Sequence, residues 1–591
     1  MHPVQAGRAS RGPDSPLEHR LRRLFLALIA LKVALGLSLL LAYLGSPLGA
    51  GLSLDEESYF AWAQRIVGGD LLGRGPFFQD PLYPYVLAGI LRLCSGAVIA
   101  ARLFNLGLGV LSLVLLERVV RRLFSPAQAL AAAALWVLLG SVVLDELTVS
   151  KEPLMVALLL GAAALALEVE GRRPALAFGA GIAGGALVLA RGNFLVLLPF
   201  AALLAVRLWP RRVAACAVGG LLLFPSIFAV RNGLQEGRWL PSTASTGMVF
   251  FIGHNPEADG TWVQAPFAKG NPTEEMPDYV REASRRRGTE ATASEASRLF
   301  LGEGLQFMAG HPLEELGLIW RKIRLTLSWE EVPGNYSRSC VRDRFIPGLW
   351  LAPLTGAVLW PLALAGLVAH RRRRVIQIIA AASLLYAATL WATFIVERYR
   401  LPLWVAVVAL APSGALALRD WLRSPQRNRV LVTSVPVLCL LAWPIRVGSG
   451  DRELGHCLAL AGATLLQAGR FEEARPLLVE AVQINPKDSI AAFNLGLFYR
   501  SESRWSEAAA SFRTAVDANA ENAPAWWALG VALQESGDRQ PAQTAFDVFF
   551  SRAPQDLIVH ACAEVTASPS LSWLWPRCSA AATKVERTTD F

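Results

Sequence analysis

Between Leu24 and about Val447, apolar runs alternate with short basic or proline-bearing breaks, and after Asp451 the runs stop. The runs are about 17 to 25 residues long, enough for a helix to cross about 30 Å of hydrocarbon. This pattern predicts about eleven spans, at 22 to 45, 99 to 119, 126 to 144, 152 to 169, 174 to 190, 193 to 209, 213 to 231, 347 to 369, 375 to 394, 400 to 418 and 429 to 447. The fold class is all-α: a polytopic transmembrane helical domain followed by a soluble helical region. A basic tail (1–20) precedes the membrane domain (21–450), whose long outer loops are 46–98 and 232–346. The first run is too long in its apolar core for a cleavable signal and lacks a small-residue cleavage site, so it reads as an anchor.

Pro81 to Cys94 is the ambiguous segment, being short, opened by two prolines and interrupted by Arg92. If it crossed, Arg121-Arg122 and every later basic cluster would fall opposite Arg20 to Arg23. If it lies along the surface, the clusters at Arg172-Arg173, Arg211-Arg212, Arg371 to Arg374 and Arg419 to Arg429 share one side, as the positive-inside rule requires. The surface reading is adopted. It places the loop around Asp55, the turn Asp145 to Glu152, Arg191, the segment 232–346, Glu397 to Arg400 and everything after about Val447 on the outer face.

Composition agrees, with 53% hydrophobic and 18% charged residues and a mean hydropathy of +0.39. The net charge of +10 is not a nucleic-acid signal. From Asp451 to Asp556 nine Lys or Arg stand against fourteen Asp or Glu, a net −5, so the remaining +15 belongs to the membrane part and its topology clusters.

The soluble end repeats every 34 residues, through Gly462, Gly496 and Gly530 and through Ala474, Ala508 and Ala542. That period, with Leu495-Gly496, Tyr499, Phe512, Leu529-Gly530 and Phe546 in place, predicts three tetratricopeptide helical hairpins over 451–557 and a capping segment or tail over 558–591. Pro486 and Pro554 end the second helices of their units. Of Trp526-Trp527, the first reads as core and the second as free. The array is either a packing spacer or a surface for a peptide or protein, and three units, about the minimum for a solenoid, need the membrane domain or a capping helix from Asp556 onward to cover their ends. Cys562 and Cys578 can pair if this region lies in an oxidising compartment.

An acidic side chain costs roughly 2.5 to 3.5 kcal/mol at a span centre, so Asp55 and Glu56 are expected in a loop beyond the bilayer, as a base or a cation site. The run Leu54-Asp55-Glu56, Tyr59, Trp62-Ala63, Gly69, Phe77, Pro81-Leu82-Tyr83-Pro84 resembles the first outer loop of polytopic glycosyltransferases of the C superfold. It is nearest the protein O-mannosyltransferase-like and lipid A sugar-transferase-like enzymes. Arg398-Tyr399-Arg400-Leu401-Pro402 is similar to a second motif of that family.

The resemblance implies sugar transfer from a polyprenyl-phosphate-linked donor to a protein, lipid or glycan acceptor on the outer face of a cell (inner) membrane, the repeats lying on the periplasmic or extracellular side. In that reading Asp55 is the catalytic base and Glu56 a helper or metal ligand. Arg398 and Arg400, with Arg191 behind them, bind the donor phosphate. Asp145, Lys151 and Glu152 form a second outer-face site near the donor. Each has a plainer reading: solvated loop charges, helix ends anchored by snorkelling arginines, and an interfacial ion pair. The basic run Arg285-Arg286-Arg287 reads as a solvated helix face. The family holds metal-dependent and metal-independent members, so a divalent ion stays open; no His-rich or paired-Cys pattern marks a site.

Two rival classes remain. A polysaccharide polymerase or ligase also joins spans to repeats, but relies on a large late loop, and a non-catalytic scaffold would tolerate any residue at Asp55. A transporter would place ionisable residues at mid-membrane in broken helices, and the apolar runs show none clearly.

Overall fold

The computed structural model describes residues 16–423 and 450–579, apart from positions 74, 170–172, 238, 240, 242, 269–271 and 554. The expected span at 429 to 447 and Pro554 lie outside the described residues. The other expected spans fall wholly or mainly on helix, that at 347 to 369 being a short turn, Pro347–Leu351, followed after a break by the helix Gly356–Ala369. Among the described residues, Pro16–Gly45, Val98–Leu123, Arg211–Gln235, Arg374–Trp391 and Glu397–Arg423 are long and apolar enough to cross a membrane. The remaining apolar helices are shorter, including Pro174–Ala190 and Gly356–Ala369. Pro81 to Cys94 becomes a separate 12-residue helix, Leu82–Leu93, packed through Tyr83, Leu87 and Leu91 onto Tyr59 and Ala63 of Asp55–Val67.

Three sequence expectations are corrected. Asp55 and Glu56 open the 13-residue helix Asp55–Val67 instead of lying in a loop; three acidic residues in its first turn complement the positive end of the helix dipole. The expected span 126 to 144 divides into Pro126–Val137 and Gly140–Leu147, and the latter meets Glu152–Glu168 at a bend of 119°. Nor are the spans free of ionisable groups. Lys32, buried within the first helix, pairs with buried Glu146, each supplying the partner that low-dielectric burial demands.

The repeat region forms three helical hairpins: Gly450–Gln467 with Phe471–Ile484, Ser489–Ser501 with Trp505–Ala518, and Ala523–Ser536 with Arg539–Arg552. The periodic glycines are contact points. A Cβ on Gly462, Gly496 or Gly530 would stand 2.5, 2.5 or 2.7 Å from the side chain of Leu478, Phe512 or Phe546, the residue facing it across each hairpin. Gln555–Ala567 and the turn Pro569–Leu574 cover the last hairpin through Ile558, Val565 and Leu574, and Cys562 is bonded to Cys578. Trp527 is core against Phe546 and Phe549, whereas Trp526 is the outer of the two, its Nε1 donating to Ala520 O at 2.8 Å. The sequence reading had these two reversed, because both helix faces are apolar enough to pass for core.

The array is joined to the membrane body by a disulfide, a shared core, an ion pair and hydrogen bonds. Cys457 is disulfide-bonded to Cys340 of the outer segment, and Cys457 and Ala461 share a core with Leu39, Tyr43, Leu48 and Val341. Thr464 Oγ1 donates to Pro47 O at 2.8 Å, Arg344 pairs with Glu480 at 2.7 Å, and Asn519 Nδ2 donates to Ala268 O at 3.3 Å. The repeats thus roof the surface that carries Asp55.

Candidate active site

Asp55 is presented by a strained step in the chain. Leu54, the residue before it, has φ +51° and ψ −121°, a region a branched L-residue enters at a cost of about 1–3 kcal/mol and which clusters at functional sites. Asp55 Oδ2 accepts from Arg398 and, at 2.8 Å, from Asn335 Nδ2; Oδ1 accepts from Gln79 Nε2 at 3.2 Å. The two family-like motifs, 343 residues apart, therefore meet in one ion pair. Burial pushes the Asp55 carboxyl up, but Arg398 and Asn335 outweigh it and hold it below the ordinary carboxylate range.

Glu56 has a different environment. Its Oε1 accepts Val149 N–H at 2.8 Å and lies 3.7 Å from Arg102, and its Oε2 accepts from Tyr336 OH at 3.0 Å. Burial raises its pKa despite Arg102, Val149 N–H and Tyr336. Glu56 thus pins the turn Thr148–Lys151 to the first acidic helix. Asn105 grips the same turn, its Nδ2 donating to Thr148 O at 2.8 Å and Ser150 O at 2.9 Å.

That turn delivers Asp145 and Glu152 to a narrow cavity of about 60 Å³ shared with Asp55, Glu56, Arg398 and Glu331. Lys151 pairs with Asp80 and not within its own turn; Asp80 Oδ1 also accepts Gly192 N–H at 2.9 Å. Arg191, buried, pairs with Glu152 at 2.6 Å and lies 4.3 Å from the Tyr399 ring centroid. Arg400 points elsewhere: its Nη1 donates to Glu330 O at 3.1 Å and its Nη2 to Ser328 O, and it pairs with Glu397 at 3.2 Å. It ties the outer segment to the helix that carries Arg398. That helix begins at Glu397, three residues before the expected start of its span at 400, so Pro402 is its sixth residue.

Asp55 and Arg398 also line a larger cleft of about 620 Å³ that runs outward to the repeat loops. Its wall includes Trp262 and Glu275, and Glu275 is pushed up to about 7 by burial first and then by the charge of Asp55. Among the described residues no three His, Cys, Asp or Glu side chains are disposed to hold a metal ion, and the oxygens of Asp55 and Glu56 are engaged by N–H and O–H donors. The basic run is a solvated face: Arg285 and Arg286 pair with Glu282, Arg286 also with Glu303, and Arg287 with Glu295. His254 is buried against Glu315 and Lys322, away from Asp55.

Sequence reasoning missed Gln79, Asp80, Arg102, Asn105 and Asn335, and named Tyr336 only as an aromatic of the outer segment. Arg102 and Asn105 had a signal, since polar side chains within an apolar run must find partners; Gln79-Asp80 stood directly before the quoted proline motif. Asn335-Tyr336 lies in irregular chain and carried none.

Three comparisons bear on this arrangement. The tetratricopeptide repeat family model matches residues 460–523 and 497–547, so the soluble hairpins are tetratricopeptide repeats on an all-helical membrane-type body. No curated protein matches the chain. Among solved structures, the oligosaccharyltransferase AglB from Archaeoglobus fulgidus in complex with an inhibitory peptide and a dolichol-phosphate is 14% identical, with 76% of this chain and 59% of that chain covered and a TM-score of 0.34. The apo form of the Archaeoglobus fulgidus oligosaccharyltransferase is likewise 14% identical at a TM-score of 0.34, over 88% of this chain and 72% of that one. The chain thus spans about 59% of the length of the first of these, and likeness at this level does not establish a shared activity.

Proposed function

We propose that this chain is a membrane glycosyltransferase that moves a sugar from a polyprenyl-phosphate-linked donor to a hydroxyl acceptor at the outer face of the membrane. The observation that carries the reading is the pairing of Asp55 with Arg398 at a cavity also lined by Asp145 and Glu152. The acceptor oxygen attacks the anomeric carbon, the bond from that carbon to the phosphate oxygen breaks, and the electron pair leaves on the lipid phosphate. Asp55 takes the acceptor proton. Arg398, with Lys151 behind Asp80, stabilises the departing phosphate by charge-assisted hydrogen bonds. Glu56, Arg191 and Arg400 position the groups around them.

With Arg398 on its Oδ2, Asp55 is ionised but weakly basic. A donor phosphate that draws Arg398 toward itself returns basicity to Asp55 when an acceptor is needed. The outer-face placement is supported by the two disulfides, Cys340–Cys457 and Cys562–Cys578, in parts read as external, since such bonds persist in oxidising compartments. The test is transfer from radiolabelled polyprenyl-phosphate sugars by the purified full-length protein. Release of sugar to water or to an acceptor, abolished in Asp55→Asn, supports the reading; no turnover of any such donor refutes it.

A further inference from the structure

The wide cleft is where the membrane body and the repeats meet. It is lined by Asp55 and Arg398, by the run Thr261 to Pro266, and by the inter-repeat loops at Asn485, Lys487 to Ile490 and Ala518 to Glu521. This does not match a repeat array that docks a partner on a remote concave face.

The run from Thr261 shows what the cleft is built to hold. Six consecutive residues line it, although neighbouring side chains of an extended chain point to opposite sides. A wall of that kind exposes its backbone. The run lies outside any helix through Ala265 and is anchored by a parallel bridge between Thr261 and Ile395, with Ile395 N–H donating to Gly260 O at 2.9 Å. Backbone groups alternate in direction along such a run. Gly260 faces Ile395, so Val263, of the opposite alternation, turns its N–H and C=O away from Ile395. That is the geometry of an edge to which another extended chain adds.

Charge narrows the class. Beyond the Asp55–Arg398 pair, the cleft carries Asp259, Glu275, Glu453, Asp488 and Glu521 against Arg452 and Lys487. Trp262, 40% exposed, offers an indole face beside them. This lining favours a neutral or basic segment over an acidic one.

We propose that this cleft is the acceptor site, that it takes an extended, hydroxyl-bearing polypeptide of neutral or basic charge paired along the Val263 edge, and that the repeat loops are its second wall. The inference rests on the transferase reading for its chemistry but is tested separately by binding. Full-length protein is irradiated with Ser- and Thr-containing peptides carrying a photoreactive group, in lysine-rich and aspartate-rich versions. Cross-links to 261–266 and 485–490, stronger for the lysine-rich peptide, are expected whether or not a donor is turned over. In transfer assays Val263→Pro, which removes the edge N–H, raises KM for peptide by roughly tenfold, whereas Val263→Ala, which keeps it, does not. Lys487→Glu weakens the aspartate-rich peptide further. Cross-links confined to other surfaces, acceptance of a glycan in place of peptide, or equal behaviour of the two Val263 variants overturns the proposal. Absence of donor turnover with the expected cross-links overturns only the transferase reading.

Discussion

Replacing Asp55 by Asn removes the proposed base while disturbing its surroundings little. Asn335 Nδ2 and Arg398 both donate to Oδ2, and the Asn side-chain oxygen can keep that position. The new amide then faces Gln79, which now donates to Oδ1 at 3.2 Å. A flip of the Gln79 amide restores that bond, and its other end meets the Ser58 hydroxyl, able to donate or accept. The structural loss is therefore one charge in an ion pair whose arginine is 26% exposed, about 1 to 2 kcal/mol after allowance for solvent. The chemical loss is larger. General-base removal lowers turnover by about 10²- to 10⁴-fold, equivalent to about 3 to 5 kcal/mol of barrier. Single-turnover transfer at saturating donor, with thermal unfolding on the same preparation, separates the two. Glu57→Gln is the control, since Glu57 is exposed on the neighbouring position of the same helix and should change little. Near-normal transfer by a folded Asp55→Asn protein would remove Asp55 from the chemistry.

Glu275 binds more protons folded than unfolded between its ordinary 4.5 and about 7, so its contribution makes stability fall as pH rises across that window; Glu275→Gln should flatten the melting-temperature profile between pH 5 and 8, and parallel profiles would refute the assignment. Gly496→Ala puts a methyl 2.5 Å from the Phe512 ring and should cost about 1 to 3 kcal/mol in denaturant unfolding, where an unchanged midpoint would contradict the packing. Cysteines introduced near Asp55, near residue 290 and in the repeats should react with an impermeant reagent from outside, and one near Arg372 should not. Labelling of the repeats only after membrane rupture would reverse the topology.

The features legible in the sequence were those written locally. A period of 34 residues gave the hairpins, because each repeat must place a small residue where its two helices touch, at Gly462, Gly496 and Gly530. Long apolar runs gave most of the helices of the membrane body, but not Asp55–Val67 or the outer-segment helices Pro272–Arg287, Ala293–Gly310 and Pro312–Leu327. Asp55 and Arg398 were recognisable from their motifs, yet nothing in either motif said that they would bond to each other. The environments that set Asp55 apart from Glu56 were hidden for the same reason. Adjacent carboxylates on one helix turn acquire opposite pKa directions from partners as distant as Asn335 and Tyr336. Lys32 was hidden because a single charge does not interrupt a hydropathy run, its pairing with Glu146 of the expected outer turn was hidden with it, and Cys340–Cys457 because spacing does not fix pairing.

The Asp55–Arg398 pair also resolves a difficulty of the proposed reaction. A cleft of about 620 Å³ open beside a catalytic carboxylate admits water, and water competes with the acceptor for the activated sugar. In the resting site the guanidinium occupies Oδ2 and Asn335 and Gln79 occupy two more lone pairs, so the carboxylate is a poor base toward water. The donor phosphate offers two non-bridging oxygens to the same fork, and its charge rises toward that of a phosphate monoester as the bond to the sugar breaks. Its arrival relaxes the pair and restores basicity in the presence of the sugar to be moved. Water then remains the rival only until the polypeptide fills the cleft, and a wall built from repeats bonded to the body through Cys340–Cys457 keeps that volume small enough to fill. Fixing the array rigidly over the site therefore serves the chemistry, which a flexibly tethered array would not.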